Sequence, residues 1–434
     1  MSEKNVNARG RRLRYLRRLR REKKRAVSPV VATLILILIA VAAAAALYLW
    51  LVAWQGGITK GIGSPGAQYT ISIGGSTTVY PLDQVAIPWF EQNNTDVVVT
   101  NQPGGSGSGT IAACSGAIDI GASSSVWNSA QLAGDGCPAS VVQTPVGYDG
   151  VIAIVSASNP TQVAAAADAG GFTSTEQYGG LSFNQSLLSA IYECNGDGTS
   201  YGSGTYTLPS WLAPTYHSST NSCGGLAFTW SEIPQPAGCT LSMPCQYSTA
   251  SNAKDPILLF HRADNSGTEQ SFVSLLMGTT CGADQDNELA SCGITNITGE
   301  TGNPLLLTSV GASANGLGFN SYGIYESATN NGGAVLLSFA GPKQATPVTA
   351  NAGSILLGVT DRCGNSGQPA CTTSPAQYFG WRQLDYITVG SPTGESERFI
   401  QFVTGSSVNQ ELCLITGYLS IYSPGAPPPT PIVD

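Results

Sequence analysis

The stretch RADNSGT, Arg262 to Thr268, decides how this chain is read. It follows the apolar run PILLF (256–260) and puts one guanidinium, one carboxylate, two hydroxyls and a glycine into seven residues. A short apolar run that stops at such a cluster reads as a strand delivering polar groups at its end. The arginine sits two residues ahead of an aspartate that can orient it, and the residues after it offer only short hydrogen bonds.

Three other joints carry the same chemistry. GGSTTVYPL follows YTISI (69–73), NQPGGSGSGT follows DVVVT (96–100), and a further short strand leads into DIGASSS. Each joint is expected to place Ser, Thr and Gly at a helix N-terminus, where free backbone N–H groups and the helix dipole favour an anion. Ser and Thr are also ordinary helix caps, so one such loop says little and four say more. Strand-like runs, among them VIAIVS (151–156) and LDYITV (384–389), alternate with helical stretches such as SLLSAIY and SERFIQFVTG. The alternation predicts an α/β architecture with mainly parallel sheets.

The glycine-rich GGSGSG lacks the acidic residue about 20 positions on that a dinucleotide fold wants, and the GK[ST] of a P-loop. No lysine occurs between Lys60 and Lys254, so an anion cradle must rest on neutral dipoles and Arg262 as its sole full positive charge.

Charge is divided unevenly along the 434 residues. Residues 1–26 hold 12 of the 19 Lys and Arg, and the remainder has seven basic residues against 25 acidic ones. The basic leader is followed by 28 uncharged residues, 27–54, which predict a membrane-crossing helix with residues 1–25 inside and all after Trp54 outside. That span accounts for the basic leader without nucleic acid. KKRAVSPV resembles an archaeal prepilin leader, cut between Ala26 and Val27; a plain signal anchor is the competing reading. A Gly-rich linker (55–67) and a Pro-rich tail (423–434) flank the globular part.

All eleven cysteines lie in the globular part, which suits an oxidising exterior. No CxxC occurs and the only histidines are His217 and His261, so no metal is expected. Neighbour spacing suggests Cys114–Cys137, Cys194–Cys223, Cys239–Cys245, Cys281–Cys292 and Cys363–Cys371, leaving Cys413 as a buried thiol. Sequons at Asn93, Asn184 and Asn296 mark candidate glycan sites.

Across most of residues 68–422 the chain resembles the phosphate-binding proteins that feed the phosphate ABC importer. The likeness runs colinearly through GGSTTVYPL, GGSGSGT, DIGASS, GYDGVIAIVSASNP, FTWSEI, HRADNSGTEQSF, GLGFNSYGIY and RFIQFVTGSSVNQELCLITGYLSI. The resemblance implies an α/β, two-lobed periplasmic-binding-protein type II fold with two crossover strands, near Tyr148–Ile154 and Arg382–Val389, beside the N-terminal transmembrane helix. Lobe 1 would comprise 68–149 and 390–422, and lobe 2 would comprise 150–389 with a Cys-bearing insert at 194–227. Carried over by position, Thr77 and Thr78, then Ser106, Gly107 and Ser108, then Arg262, Ser266, Gly267 and Thr268 would donate to inorganic phosphate, with Asp264 orienting Arg262.

Ser124 stands where many members of that family have an aspartate that accepts the ligand's proton. A hydroxyl can donate or accept, which leaves phosphate, sulfate and other tetrahedral oxyanions open; Asp149 is the reserve acceptor. The implied protein is no enzyme and needs no cofactor. It is a membrane-tethered, extracellular solute-binding protein with an ABC importer permease as partner. The other readings are a pilin-like filament subunit or adhesin displaying such a domain, and a phosphoesterase, for which neither a metal cluster nor a His beside a nucleophile is found.

Overall fold

The computed structural model describes residues 69–125, 127–158, 183–193, 257–278, 289, 297–341, 344, 347–364, 369–372, 376–425 and 432–433. The leader, the apolar run 27–54 and the insert 194–227 lie outside the described residues. Among the described residues no helix is long and apolar enough to cross a membrane.

The first half alternates β1 (Tyr69–Gly75), α1 (Tyr80–Asn93), β2 (Val97–Pro103), α2 (Ser106–Cys114), β3 (Ile120–Ser123) and α3 (Ser129–Gly134). β4 (Val141–Ser156) then leaves it. In the second half come β5 (Phe183–Asn184), α4 (Gln185–Glu193), β6 (Leu258–Arg262), α5 (Gly267–Ser271), β7 (Thr298–Glu300), α6 (Asn303–Ala312) and β8 (Gly316–Ser321). These are followed by α7 (Tyr322–Ser327), β9 (Ala334–Leu336), β10 (Phe339–Ala340) and α8 (Ala352–Asp361). β11 (Trp381–Val389) returns the chain, and α9 (Gly394–Thr404), α10 (Ser406–Thr416) and β12 (Ile432–Val433) follow.

One sheet runs β2-β1-β3-β11-β4-β8-β6-β7, with β9 and β12 also on β4. Pairs within each half, β1 with β2 and β3, and β6 with β7 and β8, are parallel. The pairs that join the halves, β11 with β3 and β4, and β4 with β8, are antiparallel. The sheet is therefore mixed, where the sequence suggested mainly parallel pairing. β4 and β11 carry the chain out of one half and back into it, so they must run in opposite directions.

Apolar burial follows the same division. Ile71, Ile73, Leu82, Phe90, Val146, Leu384, Tyr386, Phe399 and Leu412 pack into one core. A second core gathers Val151–Val155, Phe272, Leu276, Leu306, Leu317, Phe319 and Trp381. The change of core falls between Val146 and Tyr148 on β4, and between Trp381 and Leu384 on β11. Buried strands with apolar residues on both faces explain the nearly continuous burial of β4.

Cys114–Cys137 and Cys363–Cys371 are disulfides, and Cys413 is a buried free thiol. The other six cysteines lie outside the described residues.

Candidate anion-binding site

The carboxyl ends of parallel strands are where open α/β sheets place ligands. Here the loops after β1, β2 and β3 are tied together by backbone. Gly104 and Gly105 both donate to the Gly75 carbonyl at 2.8 Å, and Ser76 donates to the Ala122 carbonyl at 2.8 Å. Gly105 has φ +95°, and a Cβ there would lie 1.9 Å from the carbonyl oxygen of Asn265 in the fourth loop. Only glycine lets the second and fourth loops meet this closely.

The first loop turns on Ser76, whose hydroxyl accepts from the Thr78 and Val79 N–H groups at 3.1 and 3.2 Å. In the fourth loop Ser266 caps α5, its hydroxyl accepting from Glu269 N–H at 3.2 Å, and Gly267 and Thr268 form the first helical turn. Buried Glu269 in turn accepts from the Arg262 N–H at 2.7 Å and the Leu289 N–H at 3.0 Å, which fixes the end of β6. Ser106 and Gly107 open α2, buried. The third loop departs from expectation. Its serines precede a helix that begins only at Ser129 and is capped by Asn128, so they are loop groups and not a helix terminus.

Arg262 is 1% exposed although it is a full charge, so its partners decide what it can do. Its Nε donates to Asp264 Oδ1 at 2.7 Å, its Nη1 to Asn303 Oδ1 at 2.5 Å and its Nη2 to Thr77 Oγ1 at 3.0 Å. Asp264 closes the fork by accepting from Nη2 as well, and takes the Gly302 N–H at 3.2 Å.

A second arginine stands in the same place, which corrects the expectation that Arg262 is alone. Arg382, 4% exposed, donates through Nη2 to Thr78 Oγ1 at 3.2 Å and Thr268 Oγ1 at 3.1 Å. Through Nη1 it reaches the Ser124 carbonyl and hydroxyl at 3.2 and 3.3 Å. Its neutralising partner is Asp149, directly opposite it in the β11–β4 register, whose Oδ2 accepts from Nε at 3.1 Å and Nη2 at 2.8 Å. Asp149 Oδ1 accepts from Gly323 N–H at 3.2 Å, so this carboxylate is spent and is not the reserve proton acceptor. Burial lowers the Arg382 pKa; Asp149 opposes that shift and the Arg262 charge adds to it.

Asn303, at the start of α6, is the third group that sequence reading missed. It takes the Arg262 hydrogen on Oδ1 and donates through Nδ2 to Thr78 Oγ1 at 2.8 Å and Thr268 Oγ1 at 3.2 Å. Thr78 and Thr268, 190 residues apart, lie 3.0 Å from each other. Each of these two hydroxyl oxygens receives one donor from Arg382 and one from Asn303, which fills both its lone pairs. Their hydrogens are then left to seek an acceptor, as is the spare Nη1–H of Arg262. The cluster is rich in donors that face inward, and its three acceptor groups, Asp264, Asp149 and the Asn303 carbonyl, are all spent.

Around this hub the Ser106 hydroxyl accepts from Ser124 N–H at 3.1 Å and lies 3.2 Å from the Ser124 hydroxyl, while the Ser125 hydroxyl donates to the Gly267 carbonyl at 3.1 Å. A Cβ on Gly267 would fall 2.5, 2.6 and 2.8 Å from the hydroxyls of Ser106, Ser125 and Ser124. Ser108 does not join them. Its hydroxyl donates back to the Gly104 and Gly105 carbonyls at 2.6 and 3.0 Å, so only its backbone N–H is left for a ligand. Among the described residues no group of three His, Cys, Asp or Glu side chains could hold a metal ion.

A lone arginine in YFGWRQLDYITV and a lone aspartate in GYDGVIAIVS, on two strands read as crossovers, were the available signal for the second pair. Two opposite charges on apolar antiparallel neighbours have little choice but each other.

Residues 61–407 match the family model described as a PBP superfamily domain. A high-affinity periplasmic phosphate-binding protein, PfluDING, solved with phosphate bound, aligns at 13% identity with TM-score 0.50, covering 83% of this chain and 91% of that one. A putative phosphate ABC transporter substrate-binding protein from Clostridium perfringens aligns at 17% identity and TM-score 0.49, over 81% and 99% of the two chains. An ABC-type phosphate transport receptor from Vibrio cholerae aligns at 18% identity and TM-score 0.47, over 81% and 99%. No curated protein matches the chain in sequence.

Proposed function

The chain belongs to the PBP superfamily, and from that premise we propose that it is a solute-binding protein which captures inorganic phosphate at the Thr78–Thr268 hub. The observation that carries this reading is the convergence of two buried guanidiniums and the Asn303 amide on two hydroxyls whose lone pairs they fill. Such a cluster holds like charges together and ends in unclaimed O–H and N–H donors. A tetrahedral anion supplies both the counter-charge and the acceptors. Charge-assisted hydrogen bonds contribute about 1.5–3 kcal/mol each where water is excluded, so a handful reaches micromolar affinity, about −8 kcal/mol. The net negative surface does not oppose this strongly, because surface charge is screened over about 8 Å at physiological salt.

The finer parts of the reading come from the sequence. The uncharged run 27–54 is about 42 Å long as a helix at about 1.5 Å per residue, which exceeds a hydrocarbon core of about 30 Å. It tethers the domain outside the cell, where an ABC importer permease receives the phosphate. Whether the tether is an archaeal prepilin-type leader shows in the native N-terminus: Val27 on mass spectrometry supports the leader, and an intact Met1 supports the plain anchor. Calorimetric titration of the full chain in detergent with phosphate tests the function itself. One-to-one binding is expected; absence of binding rejects the proposal.

A further inference from the structure

We infer that the site selects its ligand by charge and tetrahedral shape and not by a proton on the ligand, so that it takes fully deprotonated dianions of the sulfate class alongside hydrogen phosphate. The inference rests on the phosphate reading above and concerns what the same hub rejects.

A ligand O–H needs an acceptor, and leaving it unmatched in a buried site carries the full desolvation cost of that donor. Discrimination between a protonated and an unprotonated anion therefore comes from an acceptor that welcomes one and repels the other. In this site every strong acceptor is engaged. Asp264 receives three hydrogen bonds from Arg262 and Gly302, and Asp149 receives three from Arg382 and Gly323. The Asn303 carbonyl is taken by Arg262 Nη1 at 2.5 Å.

The hydroxyls are biased the same way. Thr78 and Thr268 each accept from Arg382 and from Asn303, so each presents a hydrogen. Thr77 accepts from Arg262 at 3.0 Å. Ser124 accepts from Arg382 Nη1 at 3.3 Å, and a guanidinium donor on its oxygen turns its own hydrogen outward. The third loop thus carries a donor backed by a cation, where a carboxylate would have made an acceptor. Arg382 is the specificity-determining residue in this account, because it sets the polarity of Ser124, Thr78 and Thr268 together.

The test is a calorimetric titration of the full chain in detergent with phosphate and with sulfate, at pH 6 and pH 8, followed by competition between the two. Sulfate is expected to bind within about tenfold of phosphate and equally at both pH values, since it carries no proton in that range. Phosphate is expected to bind more tightly at pH 8, where its dianion prevails. If phosphate binds and a thousandfold excess of sulfate fails to displace it, the inference is wrong and the phosphate reading stands. If neither ion binds, the phosphate reading fails and takes the inference with it. Ser124→Asp adds the missing acceptor and is expected to weaken sulfate at least tenfold more than phosphate; equal weakening of both ions overturns the assignment of Ser124 as a donor.

Discussion

The loop 262–268 and the crossing strand β11 each bring a buried arginine to the same two hydroxyls, and they do it by opposite means. Arg262 is neutralised by Asp264, two residues away and 13% exposed. Arg382 is neutralised by Asp149, which is 233 residues away in the chain and fully buried. The loop pair is local and touches water at its rim. The strand pair joins the two connections between the halves of the sheet. One arrangement suits a ligand clamp, and the other makes the clamp part of the framework.

The largest expected effect follows from the loop. Arg262→Ala removes a buried charge and strands Asp264 and Asn303, a loss of about 3–5 kcal/mol by the behaviour of broken buried pairs. Phosphate affinity in a calorimetric titration is expected to fall at least a thousandfold. Since Asp264 reaches solvent, unfolding stability should change much less than affinity. Undiminished binding would break the comparison at its first term.

Arg382→Ala should invert the balance. Asp149 is left charged with no route to water, so the midpoint of denaturant unfolding is expected to fall by about 3 kcal/mol or more. Affinity drops by a smaller factor, about tenfold to a hundredfold, because Asn303 still supplies one donor to each threonine. A variant that loses binding without losing stability would place Arg382 on the ligand and not in the framework.

These two arginines also show how much the sequence disclosed. RADNSGT was legible because strand end, charge, orienting carboxylate and helix cap are consecutive, so local rules suffice. The α/β alternation and the short strands were legible for the same reason. Arg382, Asp149 and Asn303 were not, because their roles are created by register and by contacts across hundreds of residues. The register that sets Arg382 opposite Asp149 is a property of the folded sheet. Mixed pairing was missed likewise, since alternation speaks to neighbours in the chain and not to a strand that crosses between halves. The third loop was misread because serines near a strand end look like caps, whereas Asn128 caps that helix.

A milder contrast lies within β11 itself. Asp385, three residues beyond Arg382, has no cation partner among the described residues, and its Oδ2 is buried without a hydrogen bond. Burial pushes its carboxyl up to about 7 despite the bond it accepts from Gln383. Asp83, which accepts from Tyr386 on the same strand and from Asn101 at 2.7 Å, is also pushed by burial to about 7. The unfolded chain releases these protons near pH 4. Between about pH 4 and about pH 7 the folded state therefore holds protons that the unfolded state has lost, and stability falls as pH rises through that window. Denaturant unfolding at pH 5 and pH 8 should show the decline, and Asp83→Asn with Asp385→Asn should flatten it. Stability that rises over the same range would contradict the assignment.

The smallest effect is expected at Ser108. Its hydroxyl serves the Gly104 and Gly105 carbonyls, so Ser108→Ala should leave phosphate affinity within about twofold, while Ser106→Ala, beside Gly267, should not. Equal losses in both would show that the second loop presents Ser108 to the ligand after all.

The most direct test of the central claim, that both arginines serve one anion, is an anomalous-scattering map from crystals of the protein grown with arsenate. The account predicts a single arsenic peak within hydrogen-bonding reach of the Thr78 and Thr268 hydroxyls, with Arg262 and Arg382 on either side of it. A peak bound by Arg262 alone and remote from Arg382, or no peak at the hub, would contradict it.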